Sequence, residues 1–186
     1  KASMAAEQPA TGDAVVEEPV RHLMMHTEYA DLVAVIKKQC AEYVKGNKGV
    51  KISNVMLIDE LFMEFDVVLI KRMLNILFTN SQKFAAKNCH ISVGLIRKDN
   101  GNVQIQVADN GIGVADEYKP HMFDHTAGVD ELELALVKDI IVAHGGTIEV
   151  KDNPGGGTIM VIDLPAKGMV EEAEIMDDDH ADDEIK

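Results

Sequence analysis

The stretch Val107-Ala108-Asp109-Asn110-Gly111-Ile112-Gly113 decides the fold. Before it, Val103, Ile105 and Val107 alternate with Gln104 and Gln106, the period of a half-buried strand. The strand ends on a carboxylate, and two glycines follow two residues apart. Glycine there lets the backbone take positive φ and approach a ligand closely. A buried, ionised carboxylate only accepts hydrogen bonds, so it suits an amino donor such as the exocyclic amine of adenine. Taken alone, the pattern also fits a strand running into a glycine-rich turn.

Upstream, Ile91, Val93 and Leu95 alternate with His90, Ser92 and Gly94, and Asn100-Gly101 between the two runs predicts a hairpin. Asp66 is placed to cap a helix over 67–86, in which Ile70, Met73, Leu74, Leu77 and Phe84 form an apolar stripe. Asn80 and Lys83 lie three apart on a different face of it. An amide oxygen suits Mg²⁺ and an ammonium suits phosphate, although for two such residues alone a solvated helix face is the favoured explanation. Residues 28–45 carry Leu32, Val33, Val35, Ile36, Cys40 and Tyr43 near helical spacing, with Gly46-Asn47 as the stop. Residues 50–58 read as a strand or strand pair. Downstream, a helix over about 130–144 ends at Gly145-Gly146. Strands at 147–151 and 157–164 follow, joined by Asn153-Pro154-Gly155-Gly156-Gly157. A hydroxyl at Thr158 is placed to orient the Asp109 carboxylate or its water. The order predicts an α+β fold, a two-layer α/β sandwich whose mixed, mostly antiparallel sheet is covered on one face by about three helices.

The chain has 186 residues and a formal net charge of −14, which excludes non-specific binding to nucleic acid or to an anionic membrane. Residues 171–186 account for −8 and residues 1–20 for −3. Residues 1–26 therefore read as a disordered leader or linker and 167–186 as a disordered acidic tail, with the domain at 27–166. Cys40 and Cys89 are too few for a disulfide framework and read as buried thiols, as in a reducing cytoplasm. No apolar run reaches the roughly 20 residues of a membrane span.

In order and spacing these features resemble the ATP-binding domain of sensor histidine kinases, in the superfamily that includes gyrase, the heat-shock chaperone and mismatch-repair ATPases. Arg72 to Phe84 looks like the N box and Asp109-Asn110-Gly111-Ile112-Gly113 like the first glycine box. Met122-Phe123-Asp124 is similar to a reduced phenylalanine box, and Ala135 to Val150 to the third helix and following strand. The resemblance implies that Asp109 binds the adenine amine, Asn80 holds Mg²⁺ and Lys83 approaches the phosphates of ATP. Gly111, Gly113 and Thr158 would line the pocket. It also implies a phosphoacceptor histidine on a separate helical hairpin and, indirectly, a response regulator.

The sequence departs from that pattern in two places. The first N-box Asn falls on Ile76, with Asn75 about 100° round the helix. Glu131 and Glu133 replace glycines that bring backbone amides to phosphate, where carboxylates repel a triphosphate. The lid after Phe123 is short. His22 and His26 lack the context of a phosphoacceptor and read as linker residues, so this segment alone is not expected to turn over. His144 reads as a residue favourable to a helix C-terminal dipole. Two rival readings stand beside the kinase: a non-catalytic pseudokinase or phosphotransferase-type scaffold, and a stand-alone serine kinase of the anti-sigma-factor type.

Overall fold

The computed structural model describes residues 23–85, 88–124 and 129–168, of which 129–131 are described by backbone alone. Most of the expected leader and tail, together with Gly128 and the side chain of Glu131, lies outside these residues. The elements are β1 (Glu28–Asp31), α1 (Leu32–Gly46), β2 (Val50–Met56), β3 (Phe62–Phe65), α2 (Val67–Lys83), β4 (Cys89–Arg97) and β5 (Val103–Asp109). A 3-10 turn (Lys119–His121), α3 (Val129–Ala143), β6 (Thr147–Asp152) and β7 (Thr158–Leu164) complete the order.

The main sheet runs β2-β4-β5-β7-β6. Only β2 and β4 are parallel; the other pairs are antiparallel, so the sheet is mixed and mostly antiparallel. Along β4 and β5 every second residue is buried, including Ile91, Val93, Leu95, Val103, Ile105 and Val107. This period places one face of the sheet against the helices. The other face carries a ladder in which Lys98 and Gln104 donate to Asp163 and Gln106 donates to Gln104. The two-layer α+β architecture is therefore present.

Local details differ from the sequence reading. The first helix begins at Leu32, not 28, because Asp31 caps it. The Asp31 carboxylate accepts from the backbone N–H of Val33 and from that of Leu61. The four residues before it form β1, which pairs with β3 in a separate antiparallel ribbon. Neither strand is long enough to show a period. Residues 50–58 hold one strand, not two. The α1 stop falls at Gly46-Asn47 as expected: the helix ends at Gly46, Asn47 caps it by bonding back to the Tyr43 carbonyl, and the chain turns at Gly49, φ 92°. Cys40 and Cys89 are buried and free, and burial pushes the Cys40 thiol up to about 12.

Asp66 caps α2 as expected, accepting from Leu69 N–H at 2.9 Å, and it also accepts from His26 N–H at 2.8 Å. Burial alone would raise its pKa. The backbone donors of His26, Leu69 and Val68 outweigh burial and hold the carboxyl below the usual Asp value. Asp66→Asn is therefore expected to destabilise the protein by about 1 kcal/mol at pH 7. The sign follows from a depressed folded pKa: the stabilisation is complete above the ordinary value near 4 and is lost as pH falls through the folded one. Urea melts at pH 7 and pH 3 should thus show the gap between variant and parent closing at the lower pH. His144 departs from the dipole reading. It is buried; its Nδ1 faces the Ile140 carbonyl at 2.7 Å and its Nε2 accepts from Asp66 N–H at 3.1 Å. The ring bonds as a neutral Nδ1–H imidazole tying α3 to the start of α2, not as a cation at a helix end.

Candidate functional site

Three segments converge on Asp109, the last residue of β5. The glycine turn after β5 folds back so that Gly111 N–H donates to Asp109 Oδ1 at 2.9 Å. The start of β7 brings Thr158 N–H to the same oxygen at 3.1 Å. The final turn of α2 brings the Ser81 hydroxyl to Oδ2 at 3.1 Å. The carboxylate is only 8 % exposed. An ionised carboxylate has about four acceptor sites. Three are filled by protein donors, and the remaining one lies on Oδ2.

That carboxylate forms part of the wall of a cavity of about 500 Å³. Asn80, Gly113 and Thr158 line it with Asp109, and Ile112, Met122 and Leu134 give it apolar walls. The combination of apolar walls with a few fixed polar groups is characteristic of small-molecule sites. Gly113 has φ 78°, which permits the turn. Gly111 is held between the Asp109 side chain and the end of α2: a Cβ there would lie 3.0 Å from both Asp109 Oδ1 and the Phe84 carbonyl. Phe84, expected in the core stripe, instead sits past the end of α2, 44 % exposed, lining the cavity, and its carbonyl accepts from Ile112 N–H.

The other anticipated residues sort as follows. Thr158 contacts Asp109 through its backbone N–H, where a hydroxyl contact was expected. Lys83 is exposed, with its ammonium 5.6 Å from the Phe84 ring centroid, and does not line the cavity. Asn75 accepts from Gln39 on α1 and faces away from the site. Ile76 packs against the core. Glu133 is exposed and is absent from the cavity wall, whereas its neighbour Leu134 lines it. Among the described residues no three His, Cys, Asp or Glu side chains cluster to hold a metal.

Three contributors were missed. Ser81 extends the apolar stripe of Leu74 and Leu77, at i+7 and i+4, and a lone hydroxyl on such a stripe was the available signal. Asn153 donates to the Asp109 carbonyl at 2.8 Å. Gly157, at φ 97°, passes so close that a Cβ would fall 2.2 Å from that carbonyl oxygen. The turn Asn153 to Gly157 carried a signal, but it reads equally well as a plain hairpin. The adjoining wall is latched from outside: Lys119 bonds both Asp116 and Asp152, which raises the pKa of the ammonium and fixes the 3-10 turn beside β6.

Residues 65–168 match the family model described as histidine kinase-, DNA gyrase B-, and HSP90-like ATPase, and the chain belongs to that family. The sensor protein CiaH of Streptococcus pneumoniae is 36% identical over 109 residues, covering 53% of this chain and 24% of CiaH. The chain thus spans about a quarter of that relative's length. Among solved structures, the catalytic domain of the histidine kinase ThkA superposes with a TM-score of 0.68 at 20% identity, over 77% of this chain and 99% of that one. Full-length ShkA, solved in complex with AMPPNP, gives 0.70 at 22% identity over 80% and 33%. These two show the fold.

Proposed function

We propose that residues 27–166 are the ATP-binding domain of a sensor histidine kinase. It presents Mg-ATP to a phosphoacceptor histidine on another segment of the parent protein or on a partner chain, from which the phosphoryl group passes to a response regulator. The reading rests above all on the one open acceptor site of Asp109 in an apolar cavity. An adenine 6-amino group donating to Oδ2 fits it, and the backbone around Gly113 and the side chains of Ile112 and Met122 supply a slot for a flat base.

Asn80 lines the same cavity and offers one amide oxygen. Mg²⁺ usually takes one or two protein ligands and completes its shell with phosphate oxygens and water, so a lone Asn suits a metal arriving with the nucleotide. When bound, Mg²⁺ would neutralise phosphate charge. Lys83, at the end of α2 with its ammonium over the Phe84 ring, would supply a point charge to the phosphates. The work of this domain is positioning, since in-line phosphoryl transfer needs alignment and charge neutralisation more than covalent chemistry. The family, the Streptococcus relative and the two free thiols support a cytoplasmic signalling role. Among the described residues no helix is long and apolar enough to cross a membrane.

The scaffold reading keeps one specific observation in its favour: Ile76 supplies no polar group where the resemblance calls for an Asn. Calorimetric titration separates the two. Mg-ATP binding at least about tenfold tighter than ADP is expected if the phosphate half works. Equal affinity for the two would restrict the site to base recognition, and no binding by a folded chain would overturn the nucleotide reading.

A further inference from the structure

The outer face of the β1–β3 ribbon differs from the rest of the surface. Pairing sets Tyr29 opposite Glu64 and Asp31 opposite Phe62, so these four project to one side. The opposite side delivers Met63 and Phe65 to the core. On the outer side Tyr29 and Phe62 stack, with ring centroids 5.8 Å apart and planes at 25°, yet they remain 53 % and 43 % exposed. Carboxylates accompany the rings: Glu64 is paired opposite Tyr29, and the exposed Asp59 and Glu60 precede Phe62 in the chain. None of these three carboxylates forms a salt bridge among the described residues.

The chain returns to this ribbon after β7. Glu64 N–H donates to the Lys167 carbonyl at 2.9 Å. Gly168, at φ 70°, lies so close that a Cβ would be 2.7 Å from Glu64 Cγ. Residues 171–186, which follow in the chain, carry a net charge of −8. The charge selects the occupant. Both of the chain's own outlying segments, 1–22 and 169–186, are net acidic and so carry the same sign as this face. A second copy would set one acidic face against another. Arginine fits: its planar guanidinium stacks on aromatic rings and forks to carboxylates. We propose that the outer face of the β1–β3 ribbon docks an arginine-rich segment of a partner protein, gripped between the Tyr29–Phe62 stack and the surrounding carboxylates.

The test uses the full chain, ¹⁵N-labelled, titrated with an octapeptide of alternating Arg and Ala, and with its Lys and Glu counterparts. The Arg peptide should shift the amides of 28–31 and 62–64. The Lys peptide should bind several-fold more weakly, and the Glu peptide should leave these amides unmoved. The double variant Tyr29→Ser, Phe62→Ser keeps every carboxylate and should lose about tenfold in affinity. A second variant, Glu60→Gln with Glu64→Gln, keeps the rings, should also weaken binding several-fold, and decides the matter if the serine variant fails to fold. Unchanged affinity in the serine variant, or shifts confined to 171–186, would reduce the effect to bulk charge and overturn the proposal. So would concentration-dependent shifts of the same amides without peptide, which would make the face a self-interface.

Discussion

Replacing Asp109 with Asn is expected to weaken adenine-nucleotide binding about 100-fold while leaving the fold intact. The two carboxylate oxygens have separate duties. Oδ1 accepts from the backbone of Gly111 and Thr158, so it holds the glycine turn and β7 together. The amide oxygen of Asn can take over that position. Its NH₂ must then sit where Oδ2 was, facing Ser81 and the cavity. Ser81 tolerates the exchange, because a hydroxyl accepts as readily as it donates. The adenine amine does not, because donor now meets donor. Losing a hydrogen bond to a charged acceptor costs about 1.5–3 kcal/mol, roughly 10–150-fold in affinity, and the opposed donors place the result toward the upper end. The same geometry predicts that the variant gains relative affinity for a base carrying a carbonyl at that position, such as hypoxanthine. Titrations of ADP and IDP into both proteins, with a thermal melt of each, would show it. A variant that binds ADP as the parent does would remove Asp109 from base recognition.

Much of this site was legible in the sequence because its markers are local. A strand period, a terminal carboxylate and two spaced glycines specify where β5 ends and what stands there. Asn80 and the cap at Asp66 were readable from helical spacing. What escaped is what only three dimensions create. Ser81 meets Asp109 across 28 positions and the Thr158 backbone meets it across 49, and neither separation leaves a pattern in a single chain. The β1–β3 ribbon escaped for another reason: four-residue strands carry too little periodicity, and its outer face bears aromatic rings that look like core residues in a linear reading. Phe84 misled in the same way, since an apolar residue at helical spacing is taken as buried until the helix is seen to end at Lys83. Charge was the least transferable signal. Glu133 read as a repulsive group in the phosphate site, but the turn of α3 aims Leu134 into the cavity and leaves Glu133 in solvent.

The glycines of the β6–β7 turn should separate sharply when each is replaced by alanine, and the largest stability effect in the protein is expected at Gly157. Gly155 has no positive φ and open space around its Cβ position, so Gly155→Ala should stay within about 0.5 kcal/mol of the parent. Gly156 also has open space but sits at φ 94°, so Gly156→Ala should cost only the left-handed strain of about 1–2 kcal/mol. Gly157 combines φ 97° with a Cβ 2.2 Å from the Asp109 carbonyl oxygen and 2.7 Å from Oδ1. Both contacts are to atoms held by other bonds: the carbonyl accepts from Asn153, and Oδ1 from Gly111 and Thr158. Neither can yield without breaking the junction of β5 with β7, so Gly157→Ala should cost about 3–5 kcal/mol, the sum of backbone strain and overpacking. Because the displaced atoms belong to Asp109, nucleotide affinity should fall with stability, whereas in Gly156→Ala it should not. Urea melts of the three variants, with ADP titrations under conditions where each is folded, provide the comparison. Equal costs at 156 and 157 would mean that strain alone matters and that the close approach to Asp109 does not hold the site.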